Sequence, residues 1–153
     1  LVTSTTGGIS SSMAASGSLK SLMMLGGDAQ LPIDGEVDIK LDKLTVADRF
    51  VREAGGAISI GRLRWALGRN PLVLGDFAIT VSTEAGVIVA RVAPTAGPLD
   101  VGGELRLNAD RSFEVDLKSK AKPEAEPPVQ NLVRTLGQPD TEGYFHIKTR
   151  EQL

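Results

Sequence analysis

The chain has no cysteine in 153 residues, which excludes disulfides, zinc–thiolate sites and thiol nucleophiles together. A cysteine-free chain is compatible with an oxidising compartment without requiring one. Charge of one sign is also missing: 17 Lys plus Arg stand against 19 Asp plus Glu, a net charge of −2. Duplex binding needs clustered cations to displace counterions, so nucleic acid is a poor partner. No window approaches the ~18 uninterrupted apolar residues that a membrane-spanning helix needs. A basic n-region followed by an apolar stretch is absent too, and the first residue is Leu1. The chain therefore reads as cut from something longer, with any anchor or targeting signal in the part not given. Apolar content is adequate for a core. Leu, Ile, Val and Phe make up 43 residues, above the roughly 20% below which disorder is expected. The length suits one domain that buries roughly 68–70% of its unfolded surface.

Residues 1–30 form a Ser/Thr/Gly-rich segment set apart from a single domain over 31–153. From Thr3 to Ser18 this composition favours coil or an exposed polar strand. Ser18 is placed to cap a short helix carrying Leu19, Leu22 and Met23 and stopped by Gly26 and Gly27. The alternative is a mobile end.

The pattern sharpens from Asp34. Val37, Ile39 and Leu41 alternate with charged residues, so period two puts them on one face of a strand. Residues 45–54 suit either one helical face (Val46, Phe50, Val51, Ala54) or an extended hairpin connection. The next strand spans about 57–67, where a bulge at Gly61 returns Ile58, Ile60, Leu63 and Trp65 to one face. Alternation resumes over 77–82, and Thr83 to Gly86 turns into a strand over 87–92. Pro94 to Pro98 reads as a loop, and strands follow over 103–108 and 113–118 around a turn at 109–112.

Then the period changes. Val129, Leu132, Val133 and Leu136 sit at i, i+3, i+4 and i+7, bracketed by Pro128 and Gly137, which predicts a short amphipathic helix. A last strand over 144–149 puts Phe145 and Ile147 on one face and Tyr144, His146 and Lys148 on the other. Six or seven strands at intervals of roughly 8–12 residues mean a mainly β, antiparallel protein. The expected architecture is a strongly twisted meander or half-barrel, with the C-terminal helix covering its concave face.

Reactive constellations are scarce. His146 is the single imidazole and alternates outward on a terminal strand, as a solvated His does. Ala57-Ile58-Ser59-Ile60-Gly61 resembles a nucleophile elbow with its first Gly replaced, but that motif needs a helix after the Ser, and strand follows. Asp38, Asp42, Glu114 and Asp116 alternate outward as solvating charges rather than as paired glycosidase acids. One His and no Cys leave few metal ligands. The pairs Gly55-Gly56 and Gly102-Gly103 lack a phosphate-loop Lys and a following helix, so they read as turns or bulges. The expectation is a non-enzyme with no cofactor and no metal. What remains is an open sheet edge, and the terminal strand with Tyr144, His146 and Lys148 is the expected partner-binding edge; its alternative is closure against the N-terminal strand.

Several stretches carry a resemblance. Leu105-Arg106-Leu107 leads to Phe113-Glu114-Val115-Asp116-Leu117, then to Ala125-Glu126-Pro127 and the helix. Leu136-Gly137-Gln138-Pro139-Asp140, Gly143 and a short strand follow. Over about residues 31–150 this resembles the type II secretion system protein N family. Asp34-Gly35 and the Gly-x-Leu-x-Trp of Gly61-Arg62-Leu63-Arg64-Trp65 fit the same pattern. The resemblance implies a periplasmic β-domain tethered to the inner membrane by one N-terminal transmembrane helix, absent from the given residues. It also implies a linking role between the inner-membrane platform proteins and the periplasmic domains of the outer-membrane secretin. No catalytic residue comes with it. An alternative by fold analogy is a periplasmic lipid-handling domain that shelters acyl chains in its curl, which a helix filling the concavity would disfavour.

Overall fold

Period-two alternation becomes strand along almost the whole chain. The structure is a computed structural model and describes residues 2–5, 8–20, 32–66 and 69–153. Among them the strands are β1 (Val2–Thr5), β2 (Gly8–Ser18), β3 (Ile33–Ala47), β4 (Phe50–Trp65), β5 (Leu72–Glu84), β6 (Val87–Ala96), β7 (Leu99–Leu107), β8 (Ser112–Ala121) and β9 (Phe145–Gln152). One helix, α1 (Pro127–Arg134), stands between β8 and β9. Every strand pairs antiparallel with its sequence neighbours, giving one unclosed sheet with β1 and β9 at its ends.

Nine strands exceed the six or seven expected, because the Ser/Thr/Gly run takes its extended alternative as β1 and β2. Backbone pairing to β3 holds β2, with Ala15 opposite Ile39 and Gly17 opposite Val37. Leu19 and Lys20 are helical, and the rest of that expected helix lies outside the described residues. Residues 45–54 are a hairpin rather than a helix. Asp48 and Arg49 take φ of +54° and +59°, the twist that suits a two-residue turn between strands.

The bulge expected at Gly61 is present. Arg62 takes φ of +50°, its N–H donates to Asp76 Oδ1 at 2.8 Å, and the β4–β5 register slips beside it. This brings Trp65 opposite Ile33 and Arg64 opposite Asp34, where the two side chains form a 2.8 Å ion pair. The Asp-Gly and Gly-x-Leu-x-Trp motifs are thus two halves of one strand pair.

Two boundaries need correction. The loop expected over Pro94–Pro98 is mostly strand, since β6 continues to Ala96 with Pro94 opposite Phe77. Proline is tolerated because β6 meets β7 only from Ile88↔Leu107 to Val92↔Gly103 and is unpaired on that side beyond. Of the glycine pairs expected at turns or bulges, Gly102-Gly103 lies inside β7 with no register shift. Gly55-Gly56 lies inside β4 where the β3–β4 register shifts, the bulge alternative. Gly75 and Gly97 do mark a backbone crossing. Both have positive φ, and a Cβ on Gly97 would strike Gly75 Cα.

Where the β6–β7 ladder stops, the sheet parts into two halves, and α1 touches β5 on one side and β8 on the other. Val129 and Val133 of α1 are 3% and 4% exposed and join Leu74, Phe77, Leu99, Ala125 and Phe145 in one core. Burying each valine contributes about 1.5–3 kcal/mol as an upper estimate. The helix is shorter than its periodicity suggested. It ends at Arg134, and Leu136, expected as its last buried residue, is 42% exposed. Gly137 at φ +124° and Pro139 redirect the chain before Leu136 can reach the core.

A second core sits toward the opposite end, with Ala54, Val81 and Ile88 buried among Leu41, Leu44, Val51, Ile58 and Leu107. Phe77, Ile79 and Val81 alternate along one face of β5, so both cores lie on one face of the sheet. That face is concave. The tip of the β3–β4 hairpin reaches the β7–β8 turn, where Arg111 Nη2 donates to the Asp48 carbonyl at 3.0 Å and Arg52 Nη1 to the Ala109 carbonyl at 3.2 Å. Between them the Phe50 ring lies 5.0 Å from the Arg52 guanidinium and 5.2 Å from that of Arg111. No described helix is long and apolar enough to cross a membrane.

Candidate functional site

The three residues expected at the partner-binding edge stand together at the start of β9, on its convex side. Asp140, the last residue of the Leu-Gly-x-Pro-Asp stretch, builds the turn that delivers them. Its Oδ1 accepts the N–H groups of Glu142 at 2.8 Å and Tyr144 at 2.9 Å, and its own N–H donates to the Tyr144 carbonyl at 2.8 Å. Oδ2 accepts from His146 Nε2 at 2.8 Å. The His146 hydrogen bond foremost, and the Tyr144 N–H after it, hold the Asp140 carboxyl down at about 2. Turn and edge strand are therefore wired through one carboxylate.

Tyr144 is half-buried. Its hydroxyl donates to Asp100 Oδ2 at 2.9 Å, which raises the phenol above its usual range. Its ring carries two ammonium groups, Lys118 Nζ 4.5 Å and Lys120 Nζ 4.3 Å from the centroid. Lys148 pairs with Asp116 at 3.6 Å, and Arg150 lies 3.6 Å from Glu114 and 3.9 Å from Asp110. So Tyr144, His146 and Lys148 brace β9 against β7, β8 and the preceding turn. The partners Asp100, Lys118 and Lys120 were not legible in the sequence, because no spacing rule links residues that lie on different strands and far apart along the chain. Asp140 was legible as a turn-setter but not as the His146 partner.

Among the described residues the other flank of β9 has no partner strand. Its ladder with β8 runs without a register shift from Ser112↔Gln152 to Ser119↔Phe145, and it contains no proline. By contrast β3 and β4 are bulged at several points. Ile147 faces the concave side of this edge at 38% exposure. Unbulged, proline-free edges are the ones that accept another strand.

For reaction chemistry the arrangement offers little. Ser59 sits within β4, between Asp38 of β3 and Ala78 of β5, with strand continuing beyond it. Asp38 and Asp116 lie beside Lys40 and Lys148 at 3.8 Å and 3.6 Å. Among the described residues no group of three His, Cys, Asp or Glu is placed to hold a metal ion.

Among known families, the model described as type II secretion system (T2SS), protein N, matches residues 3–148. No curated protein and no solved structure matches the chain.

Proposed function

The chain belongs to the type II secretion system protein N family, a component of that secretion machine, and from this we propose that it works as a non-enzymatic docking domain. The observation that carries the reading is the free flank of β9, an eight-residue strand with an unbroken ladder on one side and open backbone on the other. A strand of this kind gives affinity through main-chain hydrogen bonds and specificity through alternate side chains. In this reading the domain sits in the periplasm, tethered to the inner membrane. It joins the platform proteins to the periplasmic domains of the secretin, with Tyr144, His146 and Lys148 holding the docking strand in place.

The test is capture of purified secretin and platform periplasmic domains by the immobilised domain. Retention of at least one, and its loss in an Ile147→Lys variant that melts like the parent, is expected. Capture of none overturns the role. Capture unaffected by Ile147→Lys moves the interface off this edge.

One observation favours a second reading, lipid handling. Helix α1 covers the concave face only near β5 and β8, while Met13, on the same face of β2, is 38% exposed. Native mass spectrometry decides it: co-purified phospholipid supports this reading, and a bare polypeptide mass removes it.

A further inference from the structure

We propose that the cleft between α1 and the end of β8 docks an acidic, partly apolar peptide segment of a protein partner. The cleft encloses about 400 Å³. Its floor is apolar, formed by Val133 and Phe145 with Ala121 beside them, and its rim carries Lys120, Lys122 and Arg134 against one carboxylate, Glu142. Many cations elsewhere on the sheet are ion-paired. Arg64, Arg91, Arg106, Lys148 and Arg150 each lie within 4 Å of a carboxylate. Among the described residues no such ion pair involves Lys120, Lys122 or Arg134. Three positive charges and one negative line the cleft, with Asp100 opposite Lys120 on β7 and the Lys120 ammonium resting over the Tyr144 ring.

The backbone points to a peptide. The β8–β9 ladder ends at Ser119↔Phe145, yet β8 runs on, with Lys120 and Ala121 paired only to Asp100 and Leu99 of β7. Beyond β9 the far flank of β8 therefore opens toward the cleft. Lys120 and Lys122 stand two positions apart on extended chain, a separation of roughly 6.7 Å that equals the i, i+2 repeat of a bound strand. A segment alternating acidic and apolar residues would set carboxylates on the lysines and apolar groups on Val133 and Phe145. The inference rests on the docking role proposed above for the partner being a protein.

The experiment uses a fluorescein-labelled peptide of alternating leucine and glutamate, titrated with the whole chain and followed by anisotropy. An otherwise identical leucine–glutamine peptide is the control. Expected are binding of the acidic peptide alone, weakening with salt, and about a tenfold loss of affinity in a Lys122→Glu, Arg134→Glu double variant. Backbone NMR shifts induced in the parent protein should centre on residues 120–122 and 133–134, a readout that survives if the variant folds poorly. Equal binding of both peptides, shifts centred elsewhere, or co-sedimentation with phosphatidylglycerol vesicles without peptide binding overturns the proposal. Failure here with secretin or platform capture intact removes the cleft alone; failure of capture removes the role beneath it.

Discussion

Gly97 has no room for a methyl group. Its φ of +105° is one that side chains rarely adopt, and the added Cβ would meet the Gly75 backbone rather than a side chain able to swing away. Gly97→Ala is therefore expected to destabilise the fold by about 2–4 kcal/mol, a fall in Tm on the order of 5–10 °C by calorimetry. Asp140 makes a different single-residue prediction. Its carboxyl is held at about 2 instead of the usual 3.8, so the folded state favours the ionised form. The stability this gives is fully present above pH ~4 and is lost as pH falls toward ~2. Asp140→Ala should thus melt below the parent at neutral pH, with the gap closing under acid. A gap independent of pH would mean that the turn is held by something other than this carboxylate.

At the scale of elements, α1 is the part whose contribution divides most sharply between neighbours. Val129→Ala removes packing from a residue that is 3% exposed and should cost about 2–3 kcal/mol. Leu136→Ala touches a residue that is 42% exposed and should stay within about 0.5 kcal/mol of the parent. Chemical denaturation of both variants checks the pair, and equal losses would restore Leu136 to the core. That contrast also shows what the sequence could tell. The i, i+3, i+4, i+7 spacing located the helix and its buried face, but not the point at which Gly137 and Pro139 turn the chain away. Strands with apolar–charged alternation, such as Val37 to Leu41 and Phe113 to Leu117, were readable because water and core sort their side chains. Gly8–Ser18 was readable only as coil or exposed strand, since its pairing with β3 decides between them more than alternation does. The β9 edge was readable as a strand with two faces. The Asp140–His146 and Tyr144–Asp100 bonds that fix it arise only once the sheet has brought distant positions together.

For the whole molecule, the curl is the property to test. It is held at one end by α1 and at the other by the contact of Phe50, Arg52 and Arg111 between two hairpin tips. Phe50→Ala should cost about 1–2 kcal/mol. It should also raise amide hydrogen exchange selectively over residues 47–52 and 108–112, leaving α1 protected. Unchanged exchange there would show that the tips merely lie near each other. The strictly sequential strand order has one more consequence, for synthesis on the ribosome. Each new strand emerges with its neighbour already made, so hairpins can zip up from the N-terminus without waiting for distant chain. The exception is the core around Leu74, Phe77 and Leu99, which stays open until Val129, Val133 and at last Phe145 arrive. A nascent chain halted before residue 127 would carry a nearly finished sheet with its greasiest seam bare, the stage at which a holding chaperone has most to cover.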